Sequence, residues 1–325
     1  MSRWYSVGAA GLAAVAVLAG AAPLAAQEKT GPNEWLQDMA SVITTMDYQG
    51  TVIRRQQGSS EALKITHKII DGVVHEKLVS QEGNGLEIIR FGNEVHCILP
   101  DSKQVLIEQW NNQSTLFHSL PSSETRFGAQ YDVRMVRQDR VAGRPAMLLA
   151  VRPHDQYRFG HRLWLDRETA FPLRTELVDS DGTVIEQIKF AEVQLGQSIP
   201  ASELRPSFDL DTFTWYAQPA RGQSVAIETE WVADDLPPGF RVISVNSEDL
   251  PGAETPATHI VYSDGLATVS VFVGETNDEV VEKHSSVGSS SAYTIANGDF
   301  QITAIGVVPE RTVQQIASSM RRQRR

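Results

Sequence analysis

Hydrophobic positions in this chain keep a helical period near its start and near its end, and a strand period almost everywhere between. After Pro32, residues Trp35, Met39, Val42, Ile43 and Met46 recur on one face of a helix. Asn33 suits its N-cap and Glu34 its first turn, and the helix is expected to end before Tyr48–Gln49–Gly50. From Tyr48 to about Leu195 the period is two. Short β-rich runs follow one another at Thr51–Arg55, Leu63–Ile70, Val73–Val79, Leu86–Phe91, Glu94–Leu99 and Gln104–Gln109, then at Asp132–Arg137, Ala146–Arg152, Arg158–Asp166, Leu173–Asp179 and Val184–Val193. Asp71–Gly72, Gly92–Asn93 and Asp181–Gly182 supply the positive-φ residues of tight hairpins. A meandering antiparallel sheet is the expected result. The stretch Asn111–Gln130 breaks the rhythm and reads as a long loop with room for a short helix.

Several runs are apolar on both parities, as at Lys68–Ile69–Ile70 and Glu87–Ile88–Ile89. That pattern suits a curved sheet with the N-terminal helix lying in its concavity. Such a sheet either leaves an apolar hollow that holds a lipid-like ligand or fills it with close-packed side chains. The residues placed to line the hollow are Trp35, Met39, Ile53, Ile65, Ile88 and Cys97, and each serves equally well as ordinary core.

Residues 201–224 contain Pro206, Pro219 and Gly222 and lose all periodicity, which predicts a linker between a large domain over 27–200 and a smaller one over 225–320. The smaller domain shows strand-like runs at Arg241–Val245, Thr258–Tyr262, Ala267–Val273 and Phe300–Val307, with Asp264–Gly265 as a hairpin turn. Ser285–Ser291 reads as a flexible Gly/Ser stretch. Pro309–Glu310 opens a closing helix whose apolar face is Val313, Ile316, Ala317 and Met320. Its outward residues Arg311, Gln314 and Gln315 are candidates for contact with a partner. The basic tail at 321–325 is expected to be solvated.

The first 26 residues change the picture of where the protein works. Arg3 precedes an apolar run from Val7 to Gly20 and a small-residue stretch ending at Ala25–Ala26. This is the layout of a cleaved secretory signal peptide. The run falls short of the roughly 20 apolar residues of a membrane span. An exported chain with one cysteine, Cys97, has no internal disulfide, so its stability must come from its cores. With 29 basic against 40 acidic residues and a net charge of −11, the chain lacks the basic balance of a nucleic-acid binder. It also lacks a Gly-x-Ser-x-Gly elbow, a His-Glu-x-x-His helix and a glycine-rich phosphate loop, and its eight histidines are scattered singly. His154–Asp155 beside Tyr157 reads as turn chemistry. No cofactor or metal is implied, and the weight moves from catalysis to binding.

Three segments resemble one family. They are Trp164–Phe190 (WLDRETAFPLRTELVDSDGTVIEQIKF), Tyr262–Val273 (YSDGLATVSVFV) with the upstream WVADDLPPGF, and Ala304–Met320 (AIGVVPERTVQQIASSM). With the opening helix that runs into Tyr48–Gln49–Gly50–Thr51, they are similar to the RseB/MucB family of periplasmic regulators. The resemblance implies a mainly β protein with some α structure. Its large domain would be a half-open antiparallel β-barrel like the lipoprotein carriers LolA and LolB, followed by a smaller α+β domain. It implies binding to the periplasmic segment of a single-pass anti-sigma factor of the RseA/MucA type, which the regulator shields from site-1 proteolysis. Lipid, lipopolysaccharide or lipoprotein acyl chains would enter the hollow and loosen that grip. The family has no catalytic residues to carry over. A periplasmic lipoprotein carrier and an envelope enzyme are the competing readings, and the sequence leaves a homodimer open.

Overall fold

The computed structural model describes Met1 and residues 31–323, apart from 57, 84, 110–113, 118, 122–124, 126, 128, 218–224, 250–254 and 277–278. The leader after Met1, the second part of the expected linker and the last two residues of the tail lie outside the described residues.

The opening helix α1 spans Pro32–Thr45. It starts one residue before the expected cap: Gly31 is the N-cap, with no side-chain bond, and Pro32 takes the first turn, where its missing N–H is no loss. The predicted apolar stripe is the buried one, with Trp35, Leu36, Met39, Val42 and Ile43 turned inward.

Eleven strands follow: β1 (Tyr48–Gln56), β2 (Ser59–Ile70), β3 (Val73–Ser80), β4 (Glu87–Phe91), β5 (Glu94–Leu99), β6 (Gln104–Gln109), β7 (Tyr131–Val141), β8 (Arg144–Pro153), β9 (Gly160–Asp166), β10 (Pro172–Val178) and β11 (Val184–Leu195). The β2–β3 turn has φ of 52° at Asp71 and 78° at Gly72, which matches the right-handed twist of the flanking strands. A twelfth strand, β12 (Thr214–Ala217), joins them. The sheet runs β12-β6-β5-β4-β3-β2-β1-β11-β10-β9-β8-β7, so its chain ends meet through β1 and β11 while β7 and β12 stay unpaired with each other. The barrel is therefore open. All pairings are antiparallel except β12 with β6, which is parallel.

One sheet face carries α1 and the main core, where Tyr48, Val52, Leu63, Ile65, Phe171 and Phe190 close around the helix. The opposite face at β4–β6 exposes a second apolar set, Ile89, Ile98 and Val105, and this is covered by Phe208, Leu210 and Phe213. These covering residues belong to the stretch predicted as linker. Its described part is bound down further: Lys77 Nζ donates to the carbonyl of Arg205 at 2.6 Å and to Ser207 Oγ at 2.8 Å. A second apolar sheet face needs a cover, and the chain leaving β11 provides it.

The smaller domain has β13 (Val225–Ala226), β14 (Trp231–Ala233), β15 (Arg241–Glu248), β16 (Ala257–Ser263), β17 (Thr268–Glu275), β18 (Lys283–Val287), β19 (Ser290–Asn297), β20 (Phe300–Gly306), α2 (Glu310–Ser318) and β21 (Met320–Arg322). Seven strands form one sheet in the order β13-β15-β16-β17-β20-β19-β18, and β14 pairs with β21. Helix α2 packs Val313, Ile316 and Ala317 into a core with Ile260, Val269, Val271 and Ile302. The expected flexible stretch Ser285–Ser291 is instead a hairpin, with Val287 paired to Ser290 around Gly288. Consecutive serines flank Val287–Gly288 there and offer no apolar alternation, so periodicity gave no strand signal.

Candidate functional site

Two places in the fold carry the polar and apolar groups that a binding protein needs: the helix-covered face of the large sheet and the seam between the domains.

On the covered face, strand alternation puts Ile65, Ile88 and Cys97 on the side of α1. Cys97 pairs with Ile88, and Ile88 with Leu78. Trp35 and Met39 point at the same space from the helix. Ile53 does not join them, because Val52 is the inward residue of β1 and Ile53 lies on the opposite face, paired with Ala62. Met39 and Ile65 are fully buried while Ile88 and Cys97 are half-buried, and the Phe117 ring meets those of Tyr48, Phe171 and Phe190 at tilted or edge-on angles with centroids 5.9–6.5 Å apart. Burial, with the charge of Glu108 adding to it, pushes the Cys97 thiol up to about 11, so it is a thiol and not a thiolate at neutral pH.

Phe117 is delivered by the long loop, and a buried carboxylate fixes that loop. Glu76 on β3 receives the backbone N–H of Thr115 at 3.0 Å, the Thr115 hydroxyl at 2.6 Å and the Ser114 hydroxyl at 3.2 Å. His67 Nδ1 lies 3.0 Å away and Arg90 Nη1 3.6 Å away. Burial alone would raise the Glu76 carboxyl, but the bonds from His67 and Thr115 outweigh it and hold it below its ordinary value. Sequence periodicity treated Glu76 and His67 as two more strand residues, since nothing local marks a buried polar pair.

At the seam, Arg158 sits in the turn just before β9 with its side chain excluded from water. Its Nη1 donates to Asp264 Oδ2 at 2.7 Å, its Nη2 to the carbonyl of Pro238 at 2.6 Å, and its Nε lies 3.2 Å from Asp155 Oδ1. The guanidinium also lies over the rings of Tyr131 and Phe240. Tyr131 donates its hydroxyl to the same Asp264 oxygen at 2.8 Å. Burial, and then the Asp264 charge, drive the Tyr131 hydroxyl well above its ordinary value, so it stays a donor. Asp264 works on both sides: its Oδ1 holds its own hairpin turn through the N–H groups of Leu266 and Ala267, at 2.9 and 2.8 Å. Sequence reading left Asp264 as an ordinary turn aspartate and His154–Asp155 as turn chemistry. Asp155 does cap the turn, taking the N–H of Tyr157 at 3.0 Å, and braces Arg158 as well.

Four further hydrogen bonds cross between the domains. Thr312 donates its hydroxyl to the carbonyl of Tyr157 at 2.6 Å, and Arg311 bonds Gln156. Ser289 donates to Glu186 Oε2 at 2.8 Å and accepts from Gln56 Nε2 at 3.4 Å. Of the three candidate partner residues, Arg311 thus turns toward the first domain, Gln315 reaches the carbonyl of Asp235 at 3.4 Å, and Gln314 faces solvent. A cavity of about 140 Å³ remains in the seam, lined by Tyr131, Phe159, His161 and Leu177 from one domain and Leu266 and Val307 from the other. Burial pulls His161 down to about 4, so its imidazole is neutral.

The sequence pattern of the MucB/RseB N-terminal domain matches residues 31–208, and that of the MucB/RseB C-terminal domain matches residues 225–321. The chain belongs to the MucB/RseB family. Within it, the sigma factor AlgU regulatory protein MucB of Pseudomonas aeruginosa is 29 % identical over 305 residues, 91 % of this chain and 92 % of that protein. The structure of the Pseudomonas aeruginosa MucA/MucB complex is 28 % identical and superposes with a TM-score of 0.70, covering 90 % of this chain and 99 % of the solved one. A crystal structure of MucB is 26 % identical and covers 90 % of this chain and 98 % of the solved one, with a TM-score of 0.56. MucB/RseB relatives are regulatory proteins, and both domains of this chain fall under the family pattern.

Proposed function

We propose that this protein is a periplasmic negative regulator of the envelope stress response. It binds the periplasmic segment of a single-pass anti-sigma factor of the RseA/MucA type and shields it from site-1 proteolysis. Lipid-bearing envelope signals release it. One observation carries the reading: both domains together superpose on MucB as it stands in its complex with MucA, at a TM-score of 0.70. The signal-peptide pattern of residues 1–26 supports delivery to the periplasm.

For the signal, the apolar side chains of Trp35, Met39, Ile65, Ile88 and Cys97 would line the path of an acyl chain. That chain must displace side chains which α1 and Phe117 already place there. For the partner, Gln314 is the outward residue of α2, while Arg311 and Gln315 act through the seam contacts they make. The test is affinity isolation of the mature protein from cross-linked cell envelopes, with captured proteins identified by mass spectrometry. One dominant single-pass inner-membrane protein with a cytoplasmic sigma-binding domain is the expected capture. A broad spread of lipoproteins without it would replace the regulator by a carrier.

A further inference from the structure

A set of buried polar groups ties the two domains together at their seam. Arg158 and Asp264 bury both side chains completely, yet the space beside them is a cavity of about 140 Å³ with walls from both domains. Both acceptors that take hydrogen bonds from the Arg158 guanidinium, Asp264 and the carbonyl of Pro238, come from the smaller domain, while Asp155 adds only an ion pair at Nε. A buried ion pair adds little net stability compared with an apolar contact, because each charge regains water on separation, but its geometry is narrow. Such a contact specifies one arrangement and still lets go. The hydrogen bonding of the node fits that role, since Asp264 Oδ1 is spent on its own turn and Oδ2 is left to reach across. Among solved MucB structures, identity and coverage barely change while the TM-score differs, 0.70 and 0.69 for two MucB/MucA complexes and 0.56 for a crystal structure of MucB.

We propose that Arg158, Tyr131 and Asp264 form an interdomain latch that holds the chain in the arrangement able to grip the anti-sigma segment. The latch rests on the regulator reading above. It makes partner affinity depend on residues that need not touch the partner: unlatched molecules populate other arrangements, and apparent affinity falls by the fraction that remains competent. Arg158, Tyr131 and Asp264 are positioning residues in this scheme. Any signal that favours the separated arrangement weakens the grip by the same linkage.

The experiment uses the full mature chain and two readouts. Small-angle X-ray scattering without partner reports the domain arrangement, and titration with the purified periplasmic segment of the host's anti-sigma factor reports affinity. Asp264→Asn keeps the turn acceptor but turns an N–H group toward Arg158. It is expected to raise the radius of gyration and weaken binding by about tenfold, with circular dichroism unchanged. Tyr131→Phe removes one hydroxyl and is expected to shift both readouts the same way by less. It also serves as the folded control if Asp264→Asn proves unstable. Wild-type scattering and wild-type affinity in both variants overturn the latch. Failure of the wild-type chain to bind the segment overturns the regulator reading instead, while the scattering still decides whether the latch exists.

Discussion

His67 and Glu76 meet at 3.0 Å on the inner side of the large sheet, with both side chains shut off from water. The same carboxylate receives the N–H and hydroxyl of Thr115, so one buried charge ties the long loop to the strands beneath it. Replacing Glu76 by Gln leaves His67 and Arg90 facing a neutral amide. The expected cost is about 3 kcal/mol of first-domain stability, typical of breaking a buried pair from one side. Urea unfolding followed by tryptophan fluorescence measures it. A midpoint unchanged from wild type would show that solvent replaces the carboxylate without loss.

His161 sets an acid limit on the same domain. The unfolded chain binds its proton near pH 6.5, whereas the folded chain resists until about 4. The stability it contributes is therefore complete above pH 6.5 and is lost as pH falls from 6.5 toward 4. Melting temperature is expected to drop over that window in wild type and to drop less in His161→Leu. Parallel curves for the two proteins would refute the assignment. The Glu76 carboxyl, held below its ordinary 4.5, adds a further loss as pH falls below that value.

Gly50 has a backbone neighbour where a side chain would go. A Cβ there would stand 2.4 Å from the Glu192 carbonyl oxygen and 3.1 Å from the Phe190 ring. It lies beside the irregularity between Thr51 and Val52, where β1 and β11 join the two halves of the sheet. Gly50→Ala is expected to cost about 1–3 kcal/mol through overpacking. Calorimetry separates this loss from the smaller domain, whose own transition should not move.

Cys97 offers a probe of the covered face without mutation. With its thiol pushed up to about 11, the thiolate is scarce at pH 8. Reaction with an aromatic disulfide reagent is expected to run at least about a hundredfold slower than for a free thiol of pKa near 8.5, and to reach the free rate in denaturant. Fast reaction in the folded protein would mean that the face opens readily.

Much of the fold was legible because it rests on local rules. The two-residue period placed the first eleven strands within a few residues. The Asp71–Gly72 turn announced its hairpin, and the Trp35–Met39–Ile43 stripe announced the face α1 buries. The β18–β19 hairpin escaped because its serines bury no apolar face, so its pairing depends on β20 next to it. The placement of Phe208, Leu210 and Phe213 escaped because the surface they cover exists only once β4, β5 and β6 are side by side.

The sequence by itself determined what is local: alternation, turn residues, the helix stripes, the signal-peptide pattern and the segments that mark the family. The tertiary structure alone decided which charges meet. Arg158 and Asp264 stand 106 positions apart, one in a turn before a strand and the other in a hairpin turn of another domain. Each looks like ordinary surface chemistry in its own neighbourhood. Their pairing follows from the docking of two separately folded cores, and no local periodicity carries that information.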